Sequence, residues 1–315
     1  MPTTRLLFLA GMGRSGTTLL ERAIAELGAV QPLGEVVHLW QRGIVDDDLC
    51  GCGEPFRRCP FWTQVGEAAF GGWDRVDVER VQQLRGAVDR VRHIPRLLRR
   101  RREPADAAAA REYAGYYARL YHAAREVSGA PVVVDSSKQV SLAYCLAGQP
   151  GIDLRVLHCV RDSRGVAYSW TKEVVRPETH DAALMPRYSP LTMSTQWTAH
   201  NVGVAALPHL GVPMLRIKYE QFVCRPRETL QRVAEFAGLE PNGTPVVDDD
   251  HLVLSRSHSA AGNPMRFQPG RIQLRLDDEW RTKLPVRQRR LVTGLTFPLL
   301  ARYGYLPPWR ARGSS

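Results

Sequence analysis

The sequence predicts an α/β fold, three α/β/α layers around a central parallel sheet, built as a single domain over residues 1–315. Three observations carry this. Short strand-like runs at 6–10, 131–135, 154–160 and 214–220 alternate with helix-like stretches, among them 19–27 and 227–237. A glycine-rich turn joins the first run to the first helix. At 315 residues with 44% hydrophobic content, the chain can also bury a sizeable core.

The turn reads Gly11-Met12-Gly13-Arg14-Ser15-Gly16-Thr17-Thr18. Between a strand and a helix N-terminus, the backbone N–H groups of such a turn converge on one anion. Gly11 and Gly16 stand where the phosphate-binding loop G-x-x-x-x-G-K-[ST] has its glycines, and Thr18 at its hydroxyl position. Thr17, however, replaces the lysine that reaches a β/γ-phosphate. Arg14 supplies a cation from another point of the turn, with a planar fork suited to phosphate or sulfate oxygens. The run from Arg14 to Thr18 resembles the 5′-phosphosulfate loop of the sulfotransferases that use 3′-phosphoadenosine 5′-phosphosulfate (PAPS), in the arginine form of bacterial, Golgi carbohydrate and tyrosylprotein members. The resemblance implies a P-loop fold in which Gly13, Arg14, Ser15, Gly16, Thr17 and Thr18 bind the donor, with Arg14 also acting on the transferred group.

Pro32-Leu33-Gly34-Glu35 then places a carboxylate just beyond the first helix. An arbitrary loop glutamate is solvated, but relatives carry a Gly-Glu or similar pair here, which implies Glu35 as the general base. The segment 46–127 begins with a loop holding Cys50, Cys52 and Cys59. Its C-x-C-x6-C spacing lacks the paired C-x-x-C of zinc sites, which favours packed or redox-labile thiols; for zinc, His38 is the nearest fourth ligand. Leu84, Val88, Val91 and Ile94 follow helical spacing, and Tyr113, Tyr116, Tyr117 and Tyr121 form a second stripe that reads as packing. Two helices are expected here, parted at 103–106. The resemblance makes this region a helical insertion over the acceptor cleft. The arginine run 99–102 reads as a solvated face, with contact to an acidic acceptor or, peripherally, to a membrane as the alternative.

The next strand ends in Asp135, a Walker B-like feature that keeps phosphotransfer open, and is followed by Ser136-Ser137-Lys138. Read from its position, Lys138 is a sheet-end salt bridge; relatives often have a lysine in this neighbourhood, which implies a catalytic cation for the bridging oxygen. Arg161 follows the strand 154–160, Asp162 or Ser163 can cap the next helix, and Ser169 falls eight residues after the arginine. In sulfotransferases an arginine and serine so spaced hold the 3′-phosphate of the donor. Tyr219, in a segment similar to the family's Arg-Tyr-Glu-Asp but with Lys218 and Gln221, is either near the nucleotide or a core aromatic. In the stretch 257–266, Ser257 and Arg266 are candidates for a flexible loop that closes over the donor. The last helix, 286–303, reads as structural.

The net charge is +11 with pI near 9.7, and only Lys138, Lys172, Lys218 and Lys283 are lysines. Such charge suits a polyanionic ligand, a membrane surface or nucleic acid. No helix-turn-helix, RNA-binding or zinc-finger signature supports nucleic acid. No apolar stretch approaches the roughly 20 residues of a membrane span, so a cytoplasmic enzyme is expected. The expected reaction is transfer of a sulfuryl group from PAPS to a hydroxyl of a carbohydrate, glycosylated natural product, lipid or peptide, with no metal required. The alternative is a kinase or NTPase using ATP and magnesium, favoured by Asp135 and disfavoured by Thr17.

Overall fold

The computed structural model describes residues 3–98, 104–175, 184, 186–240, 243–248 and 250–306. The arginine run 99–102 therefore lies outside the described residues. At the centre is strand β1 (Thr4–Gly11), whose residues 6 to 10 are entirely buried. Such a strand needs cover on both faces, and the alternation of its side chains divides that cover in two. Leu6, Phe8 and Ala10 join one hydrophobic cluster, Leu7 and Leu9 another.

Helix α1 (Thr17–Ala25) leads to the short edge strand β2 (Val30–Pro32). The helices α2 (Pro60–Phe70), α3 (Val78–Val88), α4 (Ile94–Leu98) and α5 (Pro104–Ser128) follow before β3 (Val132–Lys138). After α6 (Val140–Leu146) come β4 (Ile152–Val160), α7 (Ser163–Ser169), α8 (Pro190–Ala206) and β5 (Met214–Lys218). The five strands pair in parallel in the order β2-β3-β1-β4-β5, the central parallel sheet that the sequence predicts. Strand β5 ends one residue short of Tyr219, which with Glu220 opens helix α9 (Tyr219–Cys224) instead of extending the strand; α10 (Pro226–Ala237) follows.

The segment 46–127 supplies most of one helical layer: α5 lies across β1 and β3, and α2 and α3 pack on α5. The tyrosine stripe is core. Tyr113, Tyr117 and Tyr121 are fully buried, and their hydroxyls are satisfied by one another and by Trp40, Asp89 and Asp135. The opposite face is covered by α1, α9 and α10. A third cluster, of Met12, Val166, Met193, Trp197 and Val292, joins the β1 loop to α7, α8 and α12 (Val286–Arg302), which follows the short α11 (Trp280–Lys283). The sequence reading did not anticipate the small antiparallel sheet of β6 (Val246–Asp248), β7 (His251–Leu254) and β8 (Gly270–Gln273). It holds both ends of the segment 255–269. That segment, expected to be flexible, is hydrogen-bonded along its length to α1, to the cysteine loop and to the loop after β2. Among the described residues no helix is long and apolar enough to cross a membrane.

Candidate functional site

The connections that leave β1 and β4, neighbours in the sheet, run to opposite edges, and a crevice opens where they part. A cavity of about 400 Å³ sits there, lined by Gly13, Arg14, Gly16, Thr17, Thr18, Glu35, Lys138, Arg161, Ser169 and Tyr219 among others. Separate stretches of sequence nominated these ten; the fold brings them to one wall. Ser15 is buried in the loop but does not face the cavity.

Gly16 is the N-cap of α1, with φ 76°, a conformation that glycine adopts without strain. Space makes the same demand, since a Cβ there would lie 2.6 Å from the Tyr219 ring. Arg161 stacks on that ring with its Cζ 4.5 Å from the centroid, and its Nη1 donates to the Arg14 carbonyl at 2.9 Å. Its Nη2 lies 3.0 Å from Asp277 Oδ2, and Lys172 approaches the same oxygen at 3.3 Å. Burial pushes the Asp277 carboxyl up, but Arg161 and Lys172 outweigh it and hold it below the usual range. Arg14 lies over the Trp170 ring at 5.2 Å. The wall therefore carries two guanidinium groups, and the Asp277 carboxylate pairs with that of Arg161.

Glu35 is positioned by backbone bonds to three segments. Leu33 N–H donates to Val134 O at 2.9 Å, Gly34 N–H to Glu21 Oε1 at 2.7 Å, and Glu35 N–H to Ala261 O at 3.0 Å. Gly34 has φ 78°, and a Cβ on it would meet Ala261 O at 2.7 Å. Lys138 also has positive φ, 65°, and its Nζ reaches Glu35 Oε1 at 2.6 Å while donating to Ser136 O at 3.0 Å. Burial alone would raise the Glu35 carboxyl; the Lys138 ammonium outweighs it and holds the group below its usual range. His38 Nε2 stands 3.6 Å from Glu35 Oε2, so His38 belongs to this pair and not to the cysteine loop. Burial keeps the imidazole neutral, with its pKa pushed down to about 3.

Three expectations need correction. Ser257 lines a different cavity with Arg22, Glu26 and Gln31, and its hydroxyl meets Ser259 at 3.0 Å. Arg266 is buried and donates to the Gly262 and Leu49 carbonyls at 2.9 and 3.0 Å, a brace between its own segment and the cysteine loop. Their neighbours Asn263 and Met265 line the cavity instead. The fourth group near the cysteines is His258, not His38. The sequence reading missed Trp170, Asp277 and Glu21. Trp170 was adjacent to a nominated serine; Asp277 and Glu21 carry no motif, because their partners are distant in sequence.

This is the architecture of parallel α/β proteins that hold an anionic group at a strand–turn–helix junction. The chain belongs to the sulfotransferase family, whose sequence profile matches residues 7–242. Two solved structures share the fold along nearly the whole chain. One is the sulfotransferase domain from the Synechococcus PCC 7002 olefin synthase, 17% identical with TM-score 0.53, covering 98% of this chain and 97% of that one. The other is the sulfotransferase domain from the curacin biosynthetic pathway, 15% identical with TM-score 0.53, covering 98% and 99%. No curated protein sequence matches the chain.

Proposed function

We propose that the chain transfers a sulfuryl group from PAPS to a hydroxyl of a carbohydrate, glycosylated natural product, lipid or peptide. The observation that carries the reading is the convergence of Arg14 and the glycine turn, Arg161 with Ser169, and the Glu35–Lys138 pair on one cavity. Loop N–H groups, Thr17, Thr18 and Arg14 hold the 5′-phosphosulfate; Arg161 and Ser169 take the 3′-phosphate, with Tyr219 beside the nucleotide. Donor direction is fixed by these two anchors. The acceptor oxygen attacks sulfur in line, a new S–O bond forms, and the S–O bond to the 5′-phosphate breaks, releasing adenosine 3′,5′-bisphosphate. Glu35, ionised at neutral pH, accepts the hydroxyl proton. Its protonation ends the ion pair, which frees the Lys138 ammonium to face the leaving oxygen.

Phosphotransfer with magnesium and ATP is the weaker reading. Asp135, its would-be metal carboxylate, is fully buried and accepts from Tyr121 Oη and Ser137 N–H, both at 2.6 Å. Burial also pushes its carboxyl up to about 6. Calorimetric titration with adenosine 3′,5′-bisphosphate without magnesium, with ATP as comparison, tests the assignment. Micromolar binding that Arg161→Ala weakens by about 1.5–3 kcal/mol is expected. Magnesium-dependent ATP binding with no affinity for the bisphosphate overturns it.

A further inference from the structure

Cys50, Cys52 and Cys59 come from one loop, and His258 stands 199 positions beyond Cys59. Their ligand atoms all lie within 4.8 Å of one another. Cys52 Sγ is 3.7 Å from Cys59 Sγ, and His258 Nδ1 is 3.2 Å from Cys59 Sγ and 4.0 Å from Cys50 Sγ. A tetrahedral zinc with Zn–S of about 2.3 Å and Zn–N of about 2.05 Å requires S···S of about 3.8 Å and S···N of about 3.6 Å. The observed separations bracket those of a Cys3His shell, which small side-chain rotations would reach. Three thiols and one imidazole with no carboxylate are also the donor set that selects zinc over the harder cations.

The surroundings are built to hold this arrangement. Cys50 and Cys59 are fully buried. The turn that carries Cys50 and Cys52 is closed by Cys50 N–H to Glu54 O and Gly53 N–H to Cys50 O, both at 2.8 Å. Cys59 is fixed as the N-cap of α2, whose Pro60 starts the helix. On the other side, the His258 ring stacks on Phe61 at 5.2 Å, and its carbonyl accepts from Trp62 Nε1 at 2.8 Å. Both components of the cluster are therefore oriented independently of any contact between the sulfurs and the imidazole.

We propose that Cys50, Cys52, Cys59 and His258 bind one structural zinc ion that fastens the segment 255–266 to the cysteine loop. The fastening reaches the catalytic wall through a short chain of bonds. Directly after His258, Ser259 O accepts from Gly51 N–H at 3.0 Å, Ala260 N–H donates to Leu33 O at 2.8 Å, and Ala261 O accepts from Glu35 N–H at 3.0 Å. A zinc at His258 thus stands three residues from the carbonyl that positions the Glu35 backbone. The C-x-C-x6-C spacing conceals the site, since its fourth ligand comes from the far end of the fold. This zinc takes no part in sulfuryl transfer, and the proposal stands whether or not PAPS is the donor.

The test is metal analysis of the full-length protein, purified under reducing conditions from zinc-supplemented cells. About one zinc per chain is expected, falling to about a tenth or less in Cys52→Ser and His258→Ala. Should those variants fail to fold, cobalt(II) replacement in the wild type still decides: tetrahedral cobalt–thiolate absorption is expected. Hydrogen exchange gives the second arm. Amides at 257–263 are expected to exchange about tenfold faster or more after zinc is chelated, while β1 amides stay protected. Zinc-free wild-type protein, no cobalt–thiolate spectrum, or a disulfide among Cys50, Cys52 and Cys59 in the purified protein overturns the site. Unchanged exchange at 257–263 overturns the fastening.

Discussion

Glu35 and Lys138 work as a pair because each corrects the other's burial. The carboxylate, 16% exposed, stays ionised only while the ammonium 2.6 Å away offsets the cost of desolvation. Without that cation, burial pushes the Glu35 carboxyl up. In Lys138→Met the acid limb of residual sulfuryl transfer is therefore expected to move up by about one pH unit or more, while Lys138→Arg keeps it low. A limb that stays in place in Lys138→Met would mean that Lys138 does not set the ionisation of Glu35. Glu35→Gln is expected to lower turnover by about 10²–10⁴ with bisphosphate affinity retained, measured by product release and by titration. Equal losses in both would assign Glu35 to donor binding.

At the scale of elements, the segment between β8 and α11 reaches the cavity wall at Arg161. Asp277 occupies Arg161 through both its carboxylate and its backbone carbonyl, at 3.0 and 2.8 Å. In the proposed function, a 3′-phosphate that binds Arg161 displaces the carboxylate or shares the guanidinium with it. Asp277→Asn is accordingly expected to tighten bisphosphate binding by about 0.5–1 kcal/mol, the scale of a partly exposed ion pair. Weaker binding in the titration would instead make Asp277 a support that orients Arg161. The other elements of the site were legible because each pairs a backbone geometry with a residue type. The glycine turn after β1 and the arginine after β4 are examples. Asp277 follows neither a strand nor a capping box, and its meeting with Arg161 across 116 positions leaves no local trace.

Across the whole molecule, buried carboxylates couple the site to the sheet. Glu21 on α1 accepts from Gly34 N–H at 2.7 Å and from Ser136 Oγ at 2.6 Å, joining α1 to the loop that carries Glu35 and to β3. Burial, only partly offset by those bonds, raises its pKa from 4.5 to about 7. The neutral form is then the one the fold favours. Its stability contribution is complete below pH 4.5, where the unfolded chain is also protonated, and is lost as pH rises through about 7. The stability of the wild type relative to Glu21→Gln is expected to decline across that window by up to about 3 kcal/mol, read by denaturant unfolding at pH 5 and pH 8. A difference that does not change with pH would show that Glu21 stays ionised in the fold.

The sequence by itself determined the alternation of strands and helices, the glycine turn with Arg14, and the Arg161–Ser169 spacing, because each is a local pattern of apolar period, backbone conformation or capping. It also marked Glu35, just beyond the first helix, and Lys138, at the end of its strand, though only through the resemblance to sulfotransferases. Tertiary structure alone decided which charges meet. His38 went to Glu35 and not to the thiols, His258 went to the thiols, Arg266 became a brace, and Asp277 came to sit on Arg161. The physical reason is that an ion pair or ligand set depends on side chains within a few ångströms in space. Closing a loop of one or two hundred residues between partners costs little more than closing a short one. Sequence distance therefore says almost nothing about such partners, and the packing of the two helical layers on the sheet selects them.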